Sequence, residues 1–160
     1  MEKTLIRFLE RPKLRDPYLI EGLPGMGGVG GFVARYLIQM LDARLFAEMI
    51  SPRLPDYVVI EDGVCRLLRY AFYATDAVEP HLIILTGDTQ PPQDDYVAHY
   101  ELCEGVIGLA KEMGVKAVIG VGGFLMAGSS KDVFVAYSSE ELAKRFLEAG
   151  AKIMPVGHIV

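Results

Sequence analysis

Six glycines are concentrated in EGLPGMGGVGG, residues 21–31, which directly follows the apolar residues 18–20. Within it, Gly25, Gly27 and Gly30 match the G-x-G-x-x-G spacing of loops that hold a dinucleotide, and Glu48 lies where a ribose-binding acid is expected. A second possibility is another anion on the free amides of the following helix. The same glycines also allow positive φ angles and close helix packing without a ligand, the interpretation that we favour.

The loop departs from both phosphate-binding motifs. Gly22, Leu23 and Pro24 separate the strand from the first fingerprint glycine, which should close the strand directly. A P-loop beginning at Gly22 would need Lys and Ser/Thr where Gly28 and Val29 stand, which excludes that motif. We therefore predict no cofactor.

Side chains suited to catalysis do not form a convincing group. Ser129 and Ser130 have no histidine near them in sequence to act as a base. Asp88 and Asp94 precede a predicted helix, where acidic residues usually serve as caps. We predict no catalytic residues and lean towards a protein that is not an enzyme.

Potential metal ligands are equally sparse. Asp95, His99 and Cys103 share a helix face by spacing, but a metal site needs further convergent ligands. Cys65 and Cys103 are too few for a disulfide framework, so we expect reduced, packed thiols and no metal.

Strand patterns alternate with helical patterns along the chain. Asp62-Gly63 lies between two β-prone runs and is typical of a hairpin turn. The alternation predicts one α/β domain over residues 1–160, a three-layer sandwich with a mostly parallel sheet plus a β-hairpin. The first strand, helix and second strand are expected to form a right-handed βαβ unit. Strands are predicted at 18–20, 43–50, 81–88, 115–124, 133–137 and 152–156.

Helical spacing also predicts which faces of the helices are buried. Ser138 and Glu141 are expected to cap the last helix, which ends at Gly150. The first helix should bury Val29, Val33, Tyr36, Leu37, Met40 and Leu41; the second Tyr96, Tyr100, Cys103, Ile107, Ala110 and Met113; the third Leu142, Phe146 and Leu147.

Ligands of open α/β sheets bind beyond the carboxyl ends of the strands. Three loops are expected at this edge, 22–30, 86–95 and 122–131. They define a candidate ligand pocket lined by Gly25, Gly27, Gly28, Asp88, Gly122 and Gly123.

Charge and composition narrow the possible partners. The chain has 16 basic and 21 acidic residues, a net charge of −5 and no basic cluster, which argues against nucleic acid. Charges in the first eleven positions are incompatible with a secretory signal. The longest uncharged runs, 22–34 and 117–130, are shorter than the ~18 apolar residues of a membrane span. We expect a soluble, cytoplasmic protein.

Four segments follow one another along the chain: LIEGLPGMGGVGGFVARYLI, LTGDTQPP, AKEMGVKAVIGVGGF and ELAKRFLEAGAKI. In this order they resemble the proteasome assembly chaperone family of the archaeal type. The resemblance implies a phosphorylase/hydrolase-like α/β domain that is homo-oligomeric and scaffolds α subunits of the 20S proteasome without catalysis.

The carboxyl end departs from that family. Members that act as chaperones end in hydrophobic-Tyr-any residue, whereas Ile159 stands at the tyrosine position here. We expect a short or truncated member that lacks the family's C-terminal segment, so the function of the tail is not carried over. Uncovered apolar faces, together with a mean hydropathy of +0.28, then predict self-association.

Two functions follow from these features. The leading one is a non-enzymatic, oligomeric interaction protein that resembles proteasome assembly chaperones. The alternative is a small-molecule or nucleotide-binding protein, or an enzyme, that uses the glycine-loop pocket.

Overall fold

A computed structural model of the protein describes residues 3–125 and 131–154. The chain divides into two compact units, Met1–Gly123 and Phe124–Val160. Ser129 and Ser130, and the end of the predicted strand 152–156, lie outside the described residues.

The first unit contains a six-stranded sheet, a separate two-stranded hairpin and two α-helices. Its helices are α1 (Val29–Met40), which follows a short 3₁₀ turn at Met26–Gly28, and α2 (Tyr96–Glu112). Its strands are β1 (Leu5–Phe8), β2 (Tyr18–Glu21), β3 (Arg44–Ile50), β4 (Val58–Glu61), β5 (Val64–Leu67), β6 (Tyr70–Thr75), β7 (Leu82–Gly87) and β8 (Ala117–Gly120).

The large sheet has the strand order β1-β3-β6-β7-β2-β8. The α/β class is confirmed, but the sheet is mixed rather than mostly parallel: β2 pairs in parallel with β7 and β8, and the other three pairs are antiparallel. The connections from β3 to β6 and from β6 to β7 contain no crossover helix, so β6 runs antiparallel to both neighbours. The predicted βαβ unit is therefore interrupted, because β6 and β7 lie between β2 and β3.

One face of this sheet packs against α2. Leu19, Met49, Phe72 and Leu85 are all at most 1% exposed and share a cluster with residues of α2. Strand pairing aligns these side chains, because Phe72 is opposite Leu85 and Leu19 is opposite Ile83. Burial of this apolar face stabilises the first unit.

The two helices pack through smaller side chains than periodicity predicts. The buried residues of α1 are Gly30, Gly31 and Ala34, whereas Tyr36 is 53% exposed. In α2, a Cβ at Gly105 would lie 2.7 Å from Met49 Sδ, so the small residue permits a close approach to the sheet. The buried residues of α2 are Ala98, Leu102, Leu109 and Ala110, so the predicted inward set was wrong except for Ala110 and the partly buried Met113.

The predicted hairpin is confirmed as β4 and β5. Asp62 and Gly63 both have positive φ angles, 51° and 80°, as this tight turn requires. Within the described residues, neither strand pairs with the large sheet, so the outer edge of each strand has no strand partner.

The second unit contains β9 (Phe134–Val135), α3 (Glu140–Glu148) and β10 (Lys152–Ile153) among its described residues. β9 and β10 pair in parallel, and Lys152 Nζ lies 2.7 Å from Asp132 Oδ2. The N-cap of α3 is Ser139, one residue beyond the predicted Ser138. Its Oγ accepts a hydrogen bond from Leu142 N.

Candidate functional site

Glycines bring three backbone segments into contact at the carboxyl edge of the large sheet. A Cβ at Gly22 would lie 2.3 Å from the carbonyl oxygen of Gly30. A Cβ at Gly30 would lie 2.4 Å from the carbonyl oxygen of Val121, and a Cβ at Gly123 would lie 2.5 Å from the carbonyl oxygen of Met26. Only glycine fits at these three positions, so close packing explains them without a ligand.

All six residues of the predicted ligand pocket fall within the described part of the chain. Gly27 and Gly28 adopt the left-handed conformation, with φ of 63° and 67°. A Cβ at Gly28 or Gly122 would meet no atom within 4 Å, so both border open space. Gly25 lies beside Gln90, and the Asp88 carboxylate binds Arg66 and the backbone N–H of Arg69. A ligand at this edge stays a prediction.

Asp88 is the centre of an ion-pair cluster. Its carboxylate accepts two hydrogen bonds from Arg66, at 2.6 and 2.9 Å, and one from the backbone N–H of Arg69 at 2.9 Å. Burial alone would raise the pKa of Asp88, but these donors outweigh it and hold the pKa below its usual value. Arg66 also binds Glu61 through two nitrogens, so all its donors are engaged.

Glu48 forms a second ion-pair cluster inside β3. Its side chain is only 2% exposed and contacts the guanidinium groups of both Arg7 and Arg69. The Nε of Arg7 donates to Glu48 Oε2 at 3.1 Å. Glu48 is therefore committed to a structural ion pair and does not lie at a strand tip, where a ribose-binding acid would be required.

The two ion-pair clusters border a cavity of about 580 Å³. Its lining comes from α1, from strands β4 to β7 and from the residues that follow β5 and β7. Arg35, Arg66, Arg69 and Asp88 supply its charges together with Glu61, and Phe32, Tyr36 and Tyr73 supply aromatic surface.

Two apolar surfaces face solvent away from this cavity. The α2 stripe consists of Tyr96, Tyr100, Cys103 and Ile107, which recur at helical spacing and are all exposed. The hairpin face consists of Val58, Ile60, Cys65 and Leu67, which strand pairing places on one side of the hairpin. The expectation that both cysteines are packed was wrong, because each thiol is free and exposed.

Neither a metal site nor a membrane helix is found in the described part of the chain. Residues 3–125 and 131–154 contain no group of three or more His, Cys, Asp and Glu side chains arranged to hold a metal ion. His99 instead contacts the carbonyl oxygen of Pro92, and Asp95 caps α2 by accepting from Ala98 N. None of the helices in these two ranges combines the length and the apolar character needed to cross a bilayer.

This fold, with its glycine-packed sheet edge, is that of a known protein class. The model of the PAC2 family matches residues 19–160. The chain belongs to the PAC2 family.

Individual relatives agree with this assignment. An uncharacterised protein of Methanocaldococcus jannaschii, MJ1210, is 33% identical over 138 residues, which are 84% of this chain and 52% of MJ1210. The chain thus spans about half the length of that relative. Among solved structures, it is similar to Pyrococcus furiosus PbaB, described as an archaeal proteasome activator, with 33% identity and a TM-score of 0.90 over 100% of this chain and 71% of PbaB.

A second Pyrococcus furiosus protein is also similar. PbaA, described as an archaeal homolog of proteasome-assembly chaperone, is 25% identical with a TM-score of 0.72, over 98% of this chain and 66% of PbaA. The resemblance to proteasome assembly chaperones is therefore confirmed at the level of the family.

Sequence reasoning missed the parts of the site that are made by distant residues. Arg7, Arg66 and Arg69 were not among the predicted site residues, although arginines that interrupt apolar strand patterns were a signal. Their partners, Glu48 and Asp88, were considered only as ligand-orienting or capping acids. Contacts such as Arg7 with Glu48, 41 positions apart, depend on strand order.

Proposed function

We propose that this chain is a non-catalytic, self-associating interaction protein of the cytoplasm that docks on proteasome α subunits. Support comes from membership of the PAC2 family and from the similarity to PbaB and PbaA. The observation that carries the proposal is the exposed α2 stripe, because a helix already anchored by its inner face needs no second apolar face for folding.

The hairpin face is assigned to self-association. Each strand has four residues, and both outer edges lack a strand partner in the described residues. Isolated two-stranded hairpins are marginal in water, and open edges promote pairing with other chains. Ile60 is 67% exposed and Leu67 57%, so a second copy would bury apolar area and cover an edge at once.

The α2 stripe is assigned to the α subunits. Leu102 and Leu109 hold the inner face of α2 in the core, so the helix is stable whether or not its outer face is covered. Tyr96 is 73% exposed and Tyr100 81%. Exposed tyrosines supply contact area with little loss of side-chain entropy, which suits a reversible interface.

A reciprocal pull-down with archaeal 20S proteasome α subunits tests docking. We expect the wild-type chain to be retained, and Tyr100→Lys to reduce retention at least tenfold because it places a charge in the apolar contact. Tyr137→Lys is the matched control, since Tyr137 is 49% exposed but lies in the second unit, outside both surfaces. Equal retention of the two variants, or no retention of the wild type, would contradict docking through the α2 stripe.

Sedimentation tests the assignment of the hairpin face. The wild type is expected to self-associate at micromolar concentration, and Ile60→Lys to shift it towards the monomer. Val133→Lys is the control, because Val133 is 67% exposed in the second unit. A monomeric wild type would overturn self-association.

A further inference from the structure

The cavity beside α1 has the volume of a small-molecule site. Its volume of about 580 Å³ falls within the range of roughly 300–1,000 Å³ that is usual for ligand pockets. Phe32 and Tyr36 of α1 and Tyr73 of β6 contribute aromatic rings to its lining. Phe32 is 66% exposed and Tyr36 53%, so their rings are available to a ligand.

The arginines of the cavity differ in how many donors they keep free. Arg66 is saturated by Asp88, Glu61 and the carbonyl oxygen of Leu67. Arg69 binds Glu48 through one guanidinium nitrogen only, and the contacts of the described residues leave its Nε and other Nη available. Arg35 has no ion pair with any residue of 3–125 or 131–154.

The charge balance of the cavity favours an anion. Three arginines line it, against the two carboxylates of Glu61 and Asp88. Glu48 does not alter this excess of one positive charge, because it also pairs with Arg7 outside the cavity. The excess is local, since the whole chain carries a net charge of −5.

We propose that this cavity binds a small organic carboxylate with an aromatic body. A guanidinium can bind a carboxylate through two parallel hydrogen bonds, and Arg35 and Arg69 keep the donors to do so. The rings of Phe32, Tyr36 and Tyr73 cover the apolar part of the ligand. The residues involved belong neither to the α2 stripe nor to the hairpin face, so the proposed site does not depend on proteasome docking.

Indole-3-acetate is a suitable probe because the chain contains no tryptophan. Excitation at the red edge of indole absorption then reports the ligand, and its fluorescence anisotropy rises on binding. At neutral pH we expect saturable binding with a Kd below about 1 mM. Indole-3-acetamide, which lacks the charge, should bind at least tenfold more weakly because it cannot form a charge-assisted pair with arginine.

Two exposed arginines provide matched variants. Arg35→Gln should weaken binding of indole-3-acetate at least tenfold, whereas Arg44→Gln should leave it unchanged, because Arg44 is exposed and does not line the cavity. Circular dichroism of each variant confirms that it is folded. Absence of saturable binding, equal binding of acid and amide, or wild-type binding by Arg35→Gln would each overturn the site.

Discussion

Gly30 in α1 lies directly against the carbonyl oxygen of Val121, which follows β8. A Cβ at Gly30 would stand 2.4 Å from that oxygen and 2.9 Å from the carbonyl oxygen of Leu23. Both obstacles are backbone atoms, which cannot rotate away as a side chain would. The glycine loop is thus a point where α1 and two strand ends share one tight contact.

Gly30→Ala should destabilise the protein by about 2–3 kcal/mol, because the added methyl group forces backbone segments apart. Gly108→Ala is the matched control in α2, where a Cβ would meet no atom within 4 Å. That variant should gain about 0.5–1 kcal/mol from the better helix propensity of alanine. Urea unfolding measures both, and similar changes in the two variants would contradict the tight contact.

Glu48→Gln should cost about 3 kcal/mol in the free energy of unfolding. The variant keeps the shape of the side chain but leaves Arg7 and the largely buried Arg69 without their carboxylate. Glu112→Gln is the control, because the Arg11–Glu112 pair is 64% and 48% exposed and should contribute less than about 1 kcal/mol. Equal losses in the two variants would show that burial of Glu48 does not matter.

Asp88 should contribute to stability in a pH-dependent manner. Its pKa in the folded state lies below the usual 3.8, so its contribution is complete above that value and is lost as the pH falls through the folded pKa. At pH 7, Asp88→Asn should lose about 2 kcal/mol, since three hydrogen bonds to an ionised acceptor are weakened.

The loss in Asp88→Asn should shrink once the pH drops below 3.8, which unfolding curves across the acid range would reveal. Asp94→Asn, at an exposed position, should change stability by less than about 0.5 kcal/mol. A deficit in Asp88→Asn that persists unchanged at the lowest pH would mean that ionisation of Asp88 is not its source.

Cys65 reports on the hairpin face, because it lies there beside Ile60. In a Cys103→Ser background, we expect a maleimide to label Cys65 slowly in concentrated protein and faster on dilution, as a second copy leaves this face. In Ile60→Lys the rate should be fast at every concentration. A rate that is fast and independent of concentration in the parent would exclude self-association through the hairpin face.

Local sequence signals predicted much of the fold. Asp62-Gly63 indicated the hairpin because few other pairs tolerate two positive φ angles. The end of α3 was predicted from Gly150, which has a φ of 98°. Strands β2, β3 and β7 were predicted from short apolar runs, a pattern that depends on burial alone.

Features that depend on distant contacts could not be predicted in this way. The position of β6 between β3 and β7 follows from pairing across the whole sheet. Because β6 runs antiparallel to both neighbours, the sheet contains parallel and antiparallel pairs. The inner face of α2 was misassigned, and that of α1 in part, because Ala34 and Gly105 pack more closely than the larger residues on the opposite sides. The edge strand β1 was missed because Arg7 interrupts its apolar pattern. The contact of Arg7 with Glu48, which explains this charge, cannot be seen in the sequence.

Cys103 gives the most direct test of the central claim that this protein works through an exposed apolar face. The thiol is free, exposed and part of the α2 stripe, one turn from Tyr100. In a Cys65→Ser background, Cys103 is the single cysteine, so the rate of maleimide labelling measures the accessibility of the α2 stripe alone. Adding saturating proteasome α subunits should slow labelling at least tenfold in the parent but not in Tyr100→Lys, whereas an unchanged rate in the parent would contradict docking through α2.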